Sequence, residues 1–191
     1  MTEIIRFVDA VARPWVNGRG TTMVLLDDDE GSGWTYRVSV ADLSGRQDFS
    51  TLPEVHRHLV FLGPGRLELV IDGSSATLDP FERVEFDGEA RASSLPSHRA
   101  ARDLNIMTRR GAAVARVLLT PTLDIFPQPS PDRLVAFLVA LDSTCAVAGR
   151  GIGELDVVMV PEGRMTHADG PILFVEIFAR ESRGIAVLEV V

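Results

Sequence analysis

The sequence predicts an all-β chain built from two small barrels of jelly-roll type, and three observations lead there. Short apolar runs recur along the whole chain, separated by turn signals such as Gly63-Pro64-Gly65, Asp72-Gly73 and Asp79-Pro80. No stretch has the period of a long amphipathic helix. The second half also keeps step with the first: Arg57 set against Arg133, an offset of 76 residues, aligns Val60-Phe61-Leu62 with Ala136-Phe137-Leu138 and Asp72-Gly73 with Ala148-Gly149. A repeat of that length is one small barrel duplicated rather than a solenoid unit.

Taken in order, Ile4 to Arg13 runs into Pro14, which holds Arg13 extended. Met23 to Leu26 is a short apolar strand ended by an acidic turn. Trp34 to Leu43 alternates, with Trp34, Tyr36, Val38 and Val40 on one face and Thr35, Arg37, Ser39 and Ala41 on the other. A loop covers Gly45 to Pro53. Strands follow at His58–Leu62, Arg66–Ile71, Ser75–Leu78, Glu82–Phe86 and Ala101–Met107. In the second half, Thr144–Ala148, Leu155–Val160, Thr166–Ala168 and Ile172–Phe178 read as strands. Asp132–Leu141 is apolar enough to suit a strand or a helix. The prolines at 121, 127, 129 and 131 mark Thr120 to Pro131 as a linker, which divides the chain into an N-terminal barrel, residues 1–119, and a C-terminal half, residues 120–191.

Composition narrows the partners. The 191 residues carry a formal net charge of −8, which disfavours a nucleic-acid backbone or an anionic membrane surface. The longest apolar run, Leu134 to Leu141, is too short to span a bilayer, and Met1 to Val11 lacks a signal peptide's apolar region. One cysteine, Cys145 in an apolar run, offers neither a disulfide framework nor a metal knuckle. The expectation is a cytoplasmic protein; nothing here speaks to its oligomeric state.

Polar chemistry gathers in three places. Pro14-Trp15-Val16-Asn17-Gly18-Arg19-Gly20 puts an aromatic platform, an amide and two glycines in one turn, suited either to a ligand or to a capped turn. Asp103, Asn105, Met107 and Arg109 alternate with Leu104, Ile106 and Thr108, so one strand face carries a carboxylate, an amide, a thioether and a guanidinium. That face is a polar pocket wall if it points into a barrel, and a solvated surface otherwise. Arg57, Arg109 and Arg110 are the carboxylate-binding candidates, because a guanidinium grips a carboxylate with two parallel bonds. The third place is His56-Arg57-His58, whose spacing sets both imidazoles on one face of a strand. No carboxylate follows until Glu68, beyond a turn, and no third histidine repeats the motif, so the expectation is no metal and no cofactor.

Four ordered segments then carry a resemblance. They are Pro14-Trp15-x-Asn17-Gly18-x-Gly20-x-Thr22, Tyr36-Arg37-Val38-Ser39-Val40-Ala41, Asp48-Phe49-Ser50 before His56-Arg57, and Asp103-Leu104-Asn105-Ile106-Met107-Thr108-Arg109-Arg110-Gly111. Together they resemble the HutD/Ves family of bicupin-like proteins over most of the chain. The resemblance implies a bicupin, two fused cupin-like barrels in one compact unit, and some members are linked to histidine utilisation. It implies a non-enzymatic sensor of a small carboxylate, formylglutamate- or urocanate-like. Asn17 and Arg57 would be its pocket residues, with Trp15, Asp103, Asn105 and Arg109 around them. Val16, Val24, Tyr36 and His56 stand where the family commonly has Lys, Glu, Trp and Asp. The competing readings are a metal-dependent cupin enzyme using His56 and His58, and a purely structural or protein-interaction module.

Overall fold

The computed structural model describes residues 3–15, 18, 20–29, 31 and 33–180. In chain order the strands are β1 (Ile4–Ile5), β2 (Val11–Pro14), β3 (Thr21–Asp27), β4 (Tyr36–Leu43), β5 (Gln47–Asp48) and β6 (Val55–Gly63). There follow β7 (Leu67–Ile71), β8 (Ser74–Leu78), β9 (Arg83–Asp87), β10 (Ala92–Pro96) and β11 (Ala101–Arg109). The second half holds β12 (Ala113–Ile125), β13 (Arg133–Ala140), β14 (Ala146–Val147), β15 (Arg150–Gly151), β16 (Val157–Met159) and β17 (Thr166–Ala179). Among the described residues the one helical element is a 3-10 turn at Phe7–Asp9.

A six-stranded sheet in the order β2-β3-β4-β11-β6-β9 and a four-stranded sheet in the order β5-β10-β7-β8 make the N-terminal barrel. The C-terminal half is a seven-stranded sheet, β1-β16-β13-β17-β14-β15, with β12 added along β17. Alternation on the strands sorts side chains into three apolar layers. Leu43, Leu59, Phe61, Leu67 and Leu69 fill the N-terminal barrel. Val38, Val40, Val60, Leu104 and Ile106 leave the opposite face of the same sheet and meet Phe137, Val139, Leu173 and Val175 of the second half. Ala136, Leu138, Ala140, Ile172 and Phe174 point the other way, into the C-terminal barrel. The six-stranded sheet is thus buried on both faces near its centre, and β13 is apolar at every position after Arg133 for the same reason.

The matched turns have matched geometry: Asp72 and Gly73, like Ala148 and Gly149, both have positive φ, and each pair joins a two-residue hairpin. Several elements depart from expectation. Thr120 to Ile125 is strand rather than linker. Pro121, which cannot donate to a ladder, sits where the β12–β17 register shifts between Thr120 and Thr122, and among the described residues β12 pairs with β17 alone. Thr166–Ala168 and Ile172–Phe178 are parts of one strand that runs through Gly170-Pro171. β10 and the part of β12 before Thr120 were not anticipated; Ala92-Ser93-Ser94 is too polar to read as a strand, whereas Ala113 to Val117 carries one charge, Arg116, and its strand character was readable. Ile4–Ile5, the first described strand, joins the sheet of the second half by pairing with Val157 and Val158.

Candidate functional site

Buried side-chain atoms without a hydrogen-bond partner mark the polar interior, because burying such groups unpaired is costly. Among the described residues they belong to Ser50, Arg57, His58, Ser94, Asp103 and Asn105, all in the N-terminal half. In the C-terminal half no described buried side-chain atom is left unpaired in this way, and an apolar cluster fills the barrel. The candidate site is therefore in the first barrel.

Strand register builds its floor. On one face of the six-stranded sheet, Met107 of β11 lies between Arg37 of β4 and Arg57 of β6, and Asn105 lies between Ser39 and Leu59. One step deeper, Asp103 lies between Ala41 and Phe61. Above this floor opens a cavity of about 100 Å³, with Pro14, Trp15, Phe49, Ser50 and Leu52 at its rim. That volume holds a small anion and a few waters, and a longer ligand would extend past the rim.

Arg57 is 4% exposed, and its Nη2 donates to the Ser50 carbonyl at 2.9 Å. Its Nε has no partner, and no described carboxylate forms an ion pair with it. The guanidinium carbon sits 5.9 Å from the Phe49 ring and 5.7 Å from the Phe86 ring, a dry, π-faced setting for a cation. Burial lowers its pKa from the ordinary value, with the nearby Asp103 acting in the other direction. Trp15 stacks on Phe49 at 6.4 Å and an interplanar angle of 22°. Trp15 N–H donates to the Gly20 carbonyl at 2.8 Å, and a Cβ at Gly20 would stand 3.0 Å from the indole.

Asp103 is fully buried, and Asn105 Nδ2 donates to its Oδ1 at 3.0 Å. Its pKa is pushed up to about 7 by burial, against the opposing pull of Arg57, the Ala41 N–H and Asn105. With its amide nitrogen engaged, Asn105 keeps its Oδ1 as a free acceptor beside the cavity.

The arrangement brings Trp15, Arg57 and Asn105 to one cavity, with Asp103 beneath. Arg109 departs from the expected grouping. It lines no part of the cavity; its Nε donates to the Trp34 carbonyl at 3.3 Å and its guanidinium stacks on the Trp34 ring at 5.6 Å. Asn17 lies outside the described residues. Met107 lines the cavity beside Asn105, as the alternation of that strand allowed; Arg37, Ser39, Phe49 and Ser50 line it too and were not among the expected site residues. The alternation of Arg37, Ser39 and Ala41 carried the signal for two of them. Arg37 is already paired, its Nε donating to Asp27 at 3.1 Å, so its charge is largely spoken for.

His56 and His58 occupy the other face of β6, with Val60. The premise that they lack an acidic neighbour is corrected here: Glu85 of the edge strand β9 stands directly opposite His58, with 3.1 Å between His58 Nδ1 and Glu85 Oε1. Burial lowers the His58 pKa to about 4, against the raising effect of Glu85.

The HutD family model matches residues 8–168. A Pseudomonas putida protein described as an uncharacterized 21.2 kDa protein in the hutC 3′ region is 33% identical over 108 residues, 55% of this chain and 57% of that one. Protein Ves of Cronobacter sakazakii is 30% identical over 118 residues, 59% of this chain and 65% of its own. The chain thus spans 57% and 65% of these two curated relatives. The structure of HutD from Pseudomonas fluorescens SBW25 superposes with a TM-score of 0.80 at 22% identity, covering 94% of this chain and all of that one. A cupin 2 conserved barrel domain protein from Leptotrichia buccalis reaches 0.50 at 13% identity, covering 93% and 96%. The cupin-like double barrel and a match running from the first strands into β17 lead to one conclusion: the chain belongs to the HutD family.

Proposed function

We propose that this protein binds a small carboxylate in the N-terminal barrel and does not turn it over, acting as a sensor or regulator rather than a catalyst. The observation that carries this reading is Arg57, a buried guanidinium whose Nε has no partner and which pairs with no carboxylate among the described residues, at the floor of a cavity. A desolvated cation gains more from a bound anion than an exposed one does. The free acceptor on Asn105 suits a ligand that carries an N–H beside its carboxylate. Formylglutamate has an amide N–H and urocanate a ring N–H, so both fit that pattern. The relative encoded in a hutC region is consistent with a ligand from histidine utilisation. His56 and His58 face away from this cavity, which leaves a metal held by them out of reach of a ligand on Arg57.

Isothermal titration of formylglutamate, urocanate, formate and acetate against wild type and Arg57→Met tests the reading. Hydrogen bonds to charged groups contribute roughly 1.5–3 kcal/mol, so Arg57→Met should weaken binding on the order of tenfold or more. The ligand should be recovered chemically unchanged after incubation. Equal affinity in the two proteins would remove Arg57 from the site.

A further inference from the structure

We propose that His56, His58 and Glu85 form a binding site for one divalent transition-metal ion of the Zn²⁺ class, on the face of β6 turned away from the carboxylate pocket. One ligand atom from each residue lies within 4.8 Å of the others. His56 Nε2 is 3.6 Å from Glu85 Oε2, and His58 Nδ1 is 3.1 Å from Glu85 Oε1. The two imidazoles meet edge to face, with ring centroids 5.1 Å apart. Bonds of about 2.0–2.2 Å in a tetrahedral shell set neighbouring ligands roughly 3.5 Å apart. Each imidazole already has one Glu85 oxygen near that spacing, Oε2 for His56 and Oε1 for His58. Rotating the half-exposed His56 and Glu85 side chains closes the remaining gap.

Backbone geometry supports the grouping. His56 and His58 are two residues apart on one strand, so their side chains leave the same face. Glu85 is held opposite His58 by the β6–β9 ladder. His58 is the second, independent pointer. It is 5% exposed; its Nε2 has no described hydrogen-bond partner, and its Nδ1 is turned to the Glu85 carboxylate, where an ion would take both groups as ligands. His56 has the complementary arrangement: with Nε2 toward Glu85, its Nδ1 faces Asp87 Oδ1 at 3.6 Å, a carboxylate placed to orient a ligating imidazole. Two imidazoles and one carboxylate make a three-ligand set of intermediate softness, with a position left for water. One group opposes the ion: Arg83 Nη2 lies 3.1 Å from Glu85 Oε1. Arg83 also donates to the Val117 carbonyl, which would hold it if the ion displaced it from Glu85.

The test uses the untagged full chain, stripped with chelator and dialysed, then titrated with ZnCl₂ and checked by elemental analysis. One equivalent should bind to wild type. His56→Ala and Glu85→Gln change partly exposed groups and should weaken binding at least about tenfold, with metal-free denaturation midpoints unchanged; Asp87→Asn should weaken it about tenfold. Arg83→Gln should tighten it. Absence of stoichiometric binding, or wild-type affinity in both His56→Ala and Glu85→Gln, would overturn the site. Unchanged affinity in Arg83→Gln would place any bound ion away from Glu85.

Discussion

Burial outweighs the pull of nearby Arg57 on Asp103, so the carboxyl holds its proton to about pH 7 in the folded protein. In the unfolded chain the same carboxyl releases that proton near pH 4. Between those values the folded state binds more protons, and stability therefore falls as pH rises from about 4 to about 7. Asp103→Asn keeps an acceptor for Asn105 Nδ2 and removes the titration. Denaturant unfolding should show the variant more stable than wild type at pH 8, on the order of 4 kcal/mol, and the gap should close at pH 4. Parallel curves across that range would show that Asp103 titrates normally. Part of this residue-level picture was legible in the chain: Asp103, Asn105 and Met107 share a face by parity alone. Which face points inward was not. Around His56-Arg57-His58, the residues of either parity are apolar, Leu59 and Phe61 on one side and Val60 on the other, because both faces of β6 are covered. Glu85 was invisible for a different reason. It meets His58 only through a ladder whose register is set across an intervening hairpin.

At the scale of elements, the loop that brings Phe49, Ser50 and Leu52 to the cavity is tied down at Gly88. Leu52 N–H donates to the Gly88 carbonyl at 2.8 Å, and Gly88 N–H to the Val55 carbonyl at 2.7 Å. A Cβ at Gly88 would stand 2.3 Å from the Leu52 carbonyl oxygen, a backbone atom that cannot swing aside. Gly88→Ala should therefore cost about 2–3 kcal/mol, read from the denaturation midpoint. At temperatures where the variant is still folded, carboxylate affinity should fall as well, since the Ser50 carbonyl that orients Arg57 rides on the same loop. A stable variant with full affinity would mean that the loop is not braced there. The prolines of 120–131 misled at this scale because proline marks both linkers and bulged edge strands, and β12 is the second kind. β13 was ambiguous because a strand covered on both faces loses its alternation.

For the whole molecule, the layer shared by the two halves is the central fact. Phe137 is fully buried in it, among side chains from both sheets. Phe137→Ala should destabilise by about 3–5 kcal/mol, and calorimetry should still show one transition, because neither half keeps a covered sheet without the other. Two separate transitions would mean that the barrels fold independently. The duplicated architecture was readable from the 76-residue offset and its turn pairs. The crossing of β1 into the far sheet was not, since two isoleucines carry no sign of their partner.

That crossing bears on how the chain is made. Ile4 and Ile5 pair with Val158 and Val157, and Arg6 reaches the Asp156 carboxylate at 2.5 Å. The partners are about 150 residues away along the chain. At a synthesis rate of about 5–20 residues per second, the leading segment waits roughly 8–30 s for its partner strand to emerge from the ribosome. The N-terminal barrel's strands are complete long before then, and its outer sheet waits for the covering half with Val38, Val60 and Ile106 bare. β1 then covers the edge of β16, so a segment made early in synthesis acts as a latch on a strand made about 150 residues later.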